Sequence, residues 1–335
     1  MAGISMKELA DALGVSTASV SVALRGKSGI SEETRGRILA EARKRGYDMS
    51  RLSGAQTKGV IEIIDYTYYG YSPSPKDTFS YYSQFVDAAA ARITKKGYTP
   101  SGPFGPVEPG QPPRSAADGY ILLGGGMRAE QLKQYCHGRI PFVVAGNGLE
   151  ELPVTTVSHD NYYGIFSVLK HLDGLGHRKI GYIRSLCGNV GLERFMACKN
   201  GSARLGLEFS DFLDVSDQEK FMDAENMFSG ITQWFGESQP QATAFVCDND
   251  FAAASLMRVM RSYHQIPGKD IAVTGFDDQP FSTLLEPPLT SVHTFEPELA
   301  AVCVEELIYN MEHPGARFRH VRIGTELIVR SSTVK

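Results

Sequence analysis

The residues best suited to chemistry fall into two groups. The first is Ser16, Thr17, Ser19 and Ser21, followed by Arg25, Lys27, Arg35 and Arg37. Short hydroxyl side chains permit close approach to base edges and phosphate oxygens. The cations suit phosphate contacts, an attraction that weakens steeply with salt. The second group is Asn249 and Asp277, which follow strand-like runs at 243–247 and 271–274. Paired donors and acceptors at strand ends suit hydroxyl-rich ligands; turn capping by the same side chains is the alternative reading. Catalytic groupings are missing. His177 in Gly-His-Arg-Lys-Ile-Gly reads as a loop residue without a nucleophile or metal partner at a telling distance. The glycine run 124–126 lacks the spacing of either phosphate-binding loop. No enzyme, no metal and no cofactor is expected.

The first group needs a scaffold, and residues 5–47 supply one. Ser5-Met6-Lys7-Glu8 fits the capping box, in which the serine and glutamate side chains satisfy each other's free backbone donors. Leu9, Ala10 and Leu13 then repeat at helical spacing, and Gly14 marks the exit. Val15 reads as a core plug in the turn, and Ser16 as the cap of a second helix ending near Arg25. Ser31 caps a third helix running to about Arg45, stopped by Gly46. A helix, a short turn and a second helix make a helix-turn-helix, whose second helix enters the major groove.

Charge agrees with that reading. Residues 1–58 hold ten Lys/Arg against six acids, so the head carries +4; with −4 overall, the remainder carries −8. A basic head on an acidic body indicates that the head alone meets a polyanion. At 335 residues there is room for two or three domains. No apolar run is long enough to span a bilayer, and no signal-peptide core opens the chain. Five scattered cysteines (Cys136, Cys187, Cys198, Cys247 and Cys303) without a Cys-x-x-Cys pair read as core thiols in a reducing compartment.

From Lys58 onward, β-branched runs alternate with helical stretches. Strands are expected at 60–64, 119–123, 142–145, 179–183, 243–247 and 271–274. Helices are expected at 81–96, 162–175, 192–205, 226–235, 251–264 and 297–312. That alternation implies parallel sheets built from βαβ units, with a ligand crevice at the carboxyl ends of the strands. Residues 98–118 carry six prolines and are expected to have lost part of one βα unit.

The stretch from Ile4 to Tyr47 resembles, without a gap, the DNA-binding module of the LacI (lactose-repressor) family of bacterial transcription regulators. The body's motifs, "HDNYYG", "GLGHRKIGYI", "ERF", "CDND", "VTGFDD" and "EPPLTSV", fall in the same family's order. The resemblance implies an all-α helix-turn-helix head followed by an α/β effector domain. That domain is two-lobed, periplasmic-binding-protein-like (type I), with parallel sheets. The expected division is 1–48 for the head and 49–58 for a hinge. The first lobe takes 59–157 plus 288–320, and the second 158–287 plus 321–335.

Carried over by position, Thr17 and Ala18 read bases, while Ser16, Ser21, Ser31 and Thr34 contact phosphates; Ser5, Arg25, Lys27 and Arg35 join the DNA-facing set. Val22 departs from a guanine-reading arginine common in the family, leaving an apolar contact there. In the hinge, Gln56 stands where the family inserts a leucine into the minor groove, with Leu52 as the substitute in a shifted register. Gly54, inside that short helix, weakens it by about 1 kcal/mol relative to alanine. For the effector, the resemblance implies Arg194, Asn249, Asp277 and Asp160, with Tyr81 and Tyr82 stacking on a sugar ring.

The implied function is a cytoplasmic, homodimeric transcription regulator, in sense a repressor. It binds a pseudo-palindromic operator in double-stranded DNA under control of a small-molecule effector, a sugar or sugar derivative. The alternative is a cytosolic small-molecule sensor with a degenerate DNA-binding head. No membrane partner is implied.

Overall fold

The computed structural model describes residues 4–24, 30–45, 47, 57–66, 83–105, 117–125, 127, 129–136, 140–149, 152–216 and 224–333. Arg25, Lys27, Leu52, Gly54, Gln56, Tyr81 and Tyr82 lie outside them. The head and the α/β body form separate compact units.

In the head, α1 (Met6–Leu13), α2 (Thr17–Leu24) and α3 (Glu32–Lys44) enclose a core of Leu9, Ala10, Val20, Ala23, Leu24, Ile38, Ala42 and Tyr47. Local chemistry sets each boundary. Ser5 Oγ accepts from the Glu8 amide (3.2 Å), and Glu8 Oε2 accepts from the Ser5 amide (2.7 Å), so the capping box is complete. Gly14 closes α1 at φ +66°, a left-handed conformation open to glycine at no steric cost. Ser16 Oγ accepts from the Ser19 amide (3.0 Å) and Ser31 Oγ from the Thr34 amide (3.2 Å), opening α2 and α3.

The body begins with β1 (Val60–Asp65), α4 (Ser83–Lys95), β2 (Thr99–Phe104), β3 (Gly119–Leu123), α5 (Ala129–Cys136), β4 (Phe142–Ala145) and β5 (Thr156–His159). The chain then enters a second lobe, starting with α6 (Asn161–Gly174), β6 (Lys179–Arg184), α7 (Gly188–Leu205) and β7 (Glu208–Asp214). It continues with α8 (Ala224–Ser238), β8 (Ala244–Cys247), α9 (Asp250–Ser262), β9 (Ala272–Asp277) and β10 (Thr290–His293). It returns for α10 (Glu296–Glu312), which packs on α4 and on β3, β4 and β5, and for β11 (His320–Ile323), then leaves again with β12 (Glu326–Ile328). Among the described residues the sheet orders are β11-β5-β4-β3-β1-β2 and β12-β10-β9-β8-β6-β7. Register pairs such as Ile63 with Ile121 and Tyr182 with Val246 are parallel; β12 alone among the second sheet's registered pairs runs antiparallel, against β10.

Three expectations change. The passages between lobes fall after His159, after His293 and after Ile323 rather than at 157, 288 and 320, because β10 pairs with β9 and β11 with β5. The proline-rich segment retains a strand, β2, at the sheet's edge, where a residue without an N–H forfeits no ladder bond. Of the cysteines, Cys198, Cys247 and Cys303 are core residues, but Cys136 is at the surface. No helix of the described residues is long and apolar enough to cross a membrane.

Candidate DNA-binding head and effector cleft

On the head, Ser16, Thr17 and Ala18 are exposed side by side at the opening of α2, while Val20, Ala23 and Leu24 of the same helix fill the core. The helix thus offers its N-terminal turn outward, which is the end that meets base edges in a helix-turn-helix. Ser21 and Val22 are half-buried, one turn further on. Ser5 and Ser31 serve as caps, their hydroxyls also bonded to Glu8 Oε2 (2.7 Å) and Thr34 Oγ1 (2.8 Å). Arg35 is drawn inward: its Nη1 donates to the Ala23 carbonyl (3.4 Å), capping the carboxyl end of α2.

In the second lobe the site grows from strand ends. Parallel strands β6, β8 and β9 finish together, and Asp248, just past β8, gathers the turn after β6. Its Oδ2 accepts from the Ser185 and Leu186 amides, both at 2.7 Å, and its Oδ1 from the Ser185 hydroxyl at 2.6 Å. Burial raises the Asp248 carboxyl above its ordinary range, opposed by those hydrogen bonds and by Arg194.

Arg194 on α7 reaches into this knot with only 3% of its surface exposed. Its Nη1 donates to the Asp248 carbonyl (2.6 Å) and pairs with Asp277 Oδ1 (3.1 Å); its Nε donates to Asn161 Oδ1 (2.9 Å). The guanidinium carbon sits 3.6 Å from the Phe276 ring centroid, a buried cation–π contact. Asp277 and Asp278 end β9 at φ +104° and +50°. Positive φ at two consecutive non-glycine residues is strain of the kind that collects at binding sites.

The expected effector residues separate. Arg194 and Asp277 come together. Asn249 proves to be a cap: fully buried, it accepts from the Ala252 amide (2.8 Å) and donates to Ser185 Oγ (2.8 Å), so the turn-capping alternative describes it. Asp160 likewise caps α6 through the Tyr163 amide (2.8 Å). Its own amide donates to the Ile323 carbonyl (2.8 Å), which ties the first passage between lobes to the third. Beside it, His159 lies buried 3.3 Å from Glu296. Burial, then Arg194 and His293, hold His159 down to about 3, so it is neutral at physiological pH. Sequence reasoning passed over Asp248 and Asn161, although each is adjacent in sequence to a residue it selected.

A helix-turn-helix head joined to a two-lobed α/β body, with a buried arginine at the strand ends, defines a DNA-binding regulator of the periplasmic-binding-protein-like class. Residues 5–50 match the model for bacterial regulatory proteins of the lacI family, and residues 169–333 that of the periplasmic binding protein-like domain. The chain is 25% identical to the HTH-type transcriptional regulator MalR of Streptomyces coelicolor over 98% of its own length and 96% of the relative's. A lac repressor dimer bound to operator and the anti-inducer ONPF superposes with TM-score 0.69 at 19% identity, each chain fully covered. A CelR–cellobiose complex gives 0.66 at 19%, over 98% of this chain and 99% of that one. The chain thus carries a lacI-type DNA-binding domain followed by a periplasmic binding protein-like domain, and its full-length relatives are named as HTH-type transcriptional regulators.

Proposed function

We propose that this chain is a cytoplasmic repressor whose operator affinity is set by a sugar or sugar derivative held between the lobes. The reading rests most heavily on Arg194: a buried guanidinium at three converging strand ends, already paired with a strained carboxylate, suits a ligand rich in hydroxyls. CelR, named with cellobiose in its structure, supports that ligand class. Two heads on a two-fold axis read a pseudo-palindromic operator through Thr17 and Ala18, with Ser16, Ser21 and Thr34 at phosphates. The effector acts by binding one lobe arrangement more tightly than another, which shifts the population competent for DNA.

The test is selection of the full chain on random duplex DNA, followed by salt titration of the winners. A pseudo-palindrome with a steep salt slope is expected. D-Ribose, L-arabinose, maltose and cellobiose are then scored for release of that DNA. Weak, motif-free binding would instead support a ligand sensor with a degenerate head, the reading that Val22, Gly54 and Gln56 motivate.

A further inference from the structure

Asn161 occupies an unusual chemical position. Its Nδ2 donates to Glu193 Oε2 (2.6 Å) while its Oδ1 accepts from Arg194 Nε (2.9 Å), and the residue is 2% exposed. A carboxylate can only accept and a guanidinium can only donate, so the side chain between them must both donate and accept, and the amide does so in one orientation only. Aspartate in its place would repel Glu193, and an apolar residue would leave the buried Arg194 Nε and the half-buried Glu193 carboxylate each short of a partner. Glu193 therefore sets the amide, and the amide sets the arginine.

Glu193 also faces the other lobe. It stands on α7 of the second lobe, yet its Oε1 lies 3.0 Å from where a Cβ on Gly148, in the loop after β4 of the first lobe, would sit. That loop is rigidly held: buried Asn147 donates to the Gly125 (3.1 Å) and Met127 (2.8 Å) carbonyls and accepts from the Leu149 amide (3.3 Å). Arg322, on the first lobe's edge strand β11, approaches the same Oε1 at 3.7 Å. Side chains 26% and 41% exposed make a weak ion pair by themselves. Their value lies in where they are: one carboxylate touches both lobes and the amide behind the arginine.

We propose that Glu193 is a positioning residue that couples lobe approach to Arg194, so that closing the cleft and orienting the ligand-facing guanidinium are one event. The role given to Arg194 rests on the effector reading above; the coupling itself does not. Parting the lobes removes Gly148 and Arg322 from Glu193, which loosens Asn161 and the arginine behind it. Holding Arg194 in place has the converse effect on the lobes, since linkage is reciprocal.

The test uses the full-length chain without ligand. A spin label on surface Cys136 of the first lobe and a second at Lys269→Cys of the other, in a Cys187→Ser background, report the interlobe distance. The parent should give a narrow distribution. Glu193→Leu should broaden and lengthen it. Gly148→Ala, which removes no charge and only crowds the carboxylate, should do the same. Glu193→Gln, which keeps the bond to Asn161 but loses the charge facing Arg322, should fall between. Unchanged distributions in folded variants overturn the proposal. A sugar panel titrated against Arg194→Lys and Glu193→Leu separates the two readings. Loss of about tenfold or more in affinity for both supports the coupling. An effect of Arg194→Lys alone, with distances unchanged, overturns the coupling and leaves the effector site. No effect of Arg194→Lys, with distances altered, overturns the effector site and leaves the coupling.

Discussion

Asp250 permits a quantitative test of the electrostatics beneath the cleft. It is fully buried in the first turn of α9, where Oδ2 accepts from the Gln279 amide (2.7 Å) and the Ser282 hydroxyl (2.6 Å), and Oδ1 from the Ser291 hydroxyl (2.5 Å). Burial pushes its carboxyl up, the nearby Asp277 pushes it further, and the three hydrogen bonds oppose both; the outcome is about 7 against an ordinary 3.8. Because the folded value lies above the unfolded one, the folded state holds the proton more tightly. The associated stability is fully present below the ordinary carboxylate range and is lost as pH rises through about 7. Three decades at about 1.4 kcal/mol each give an upper limit of about 4 kcal/mol.

Asp250→Asn mimics the protonated form. Its oxygen keeps the bonds from Gln279 and Ser282, and its amide donates to Ser291 Oγ, which as a hydroxyl accepts as readily as it donates. His159 works the other way: burial, then Arg194 and His293, hold it at about 3 against 6.5, so it costs stability as pH falls below its ordinary value. The parent's own pH curve mixes these with other shifted groups such as Asp248 and His171, whereas the difference between parent and variant isolates Asp250. Urea unfolding of both proteins from about pH 5 to about pH 8, which spans about two of those three decades, should show the parent losing roughly 1–3 kcal/mol relative to the variant. A difference that stays flat with pH, or a variant weaker than its parent at the alkaline end, refutes the reasoning.

Three further outcomes are expected. Ser5→Ala should destabilise the head by about 1 kcal/mol, seen as an earlier melt of α1, because Glu8 and the helix's first amides lose their reciprocal partner. Thr17→Ala should weaken the selected operator by about 1–3 kcal/mol and relax preference at one base pair without changing the salt slope; a changed slope would place Thr17 at a phosphate instead. Gly275→Ala should cost about 1–3 kcal/mol in the thermal melt, since a Cβ there collides with the Asp250 carboxylate, and smaller residues at 250 should relieve it.

The head was almost wholly legible in sequence because its instructions are local. Ser5 with Glu8, Gly14, Ser16 with Ser19 and Ser31 with Thr34 act over four residues or fewer, and each did what its spacing predicted. Six interior strands were legible for a related reason: β1, β3, β4, β6, β8 and β9 lie under helices and read as largely apolar runs. By contrast β5 (Thr-Val-Ser-His) and β10 (Thr-Ser-Val-His), also interior, are too short and polar to be read so. The edge elements were not legible either. β7 is exposed along much of its length, and β2 contains prolines, so neither carries the periodicity that betrays a strand. Both exist because a neighbouring strand offers its free backbone groups.

The sequence by itself determined the family, the helix ends of the head and the residue types at the strand ends. Only the tertiary structure decided which of those residues cap a helix and which pair with Arg194. Asn249, Asp160 and Asp277 look alike along the chain, since a side-chain oxygen that caps a helix also binds a hydroxyl. Distance separates them. Asn249 and Asp160 accept from amides three residues on, within reach of local chain, whereas Asp277 meets an arginine 83 positions away. The same holds for Glu193 and Asn161, 32 positions apart, which meet because α6 and α7 pack side by side within the second lobe.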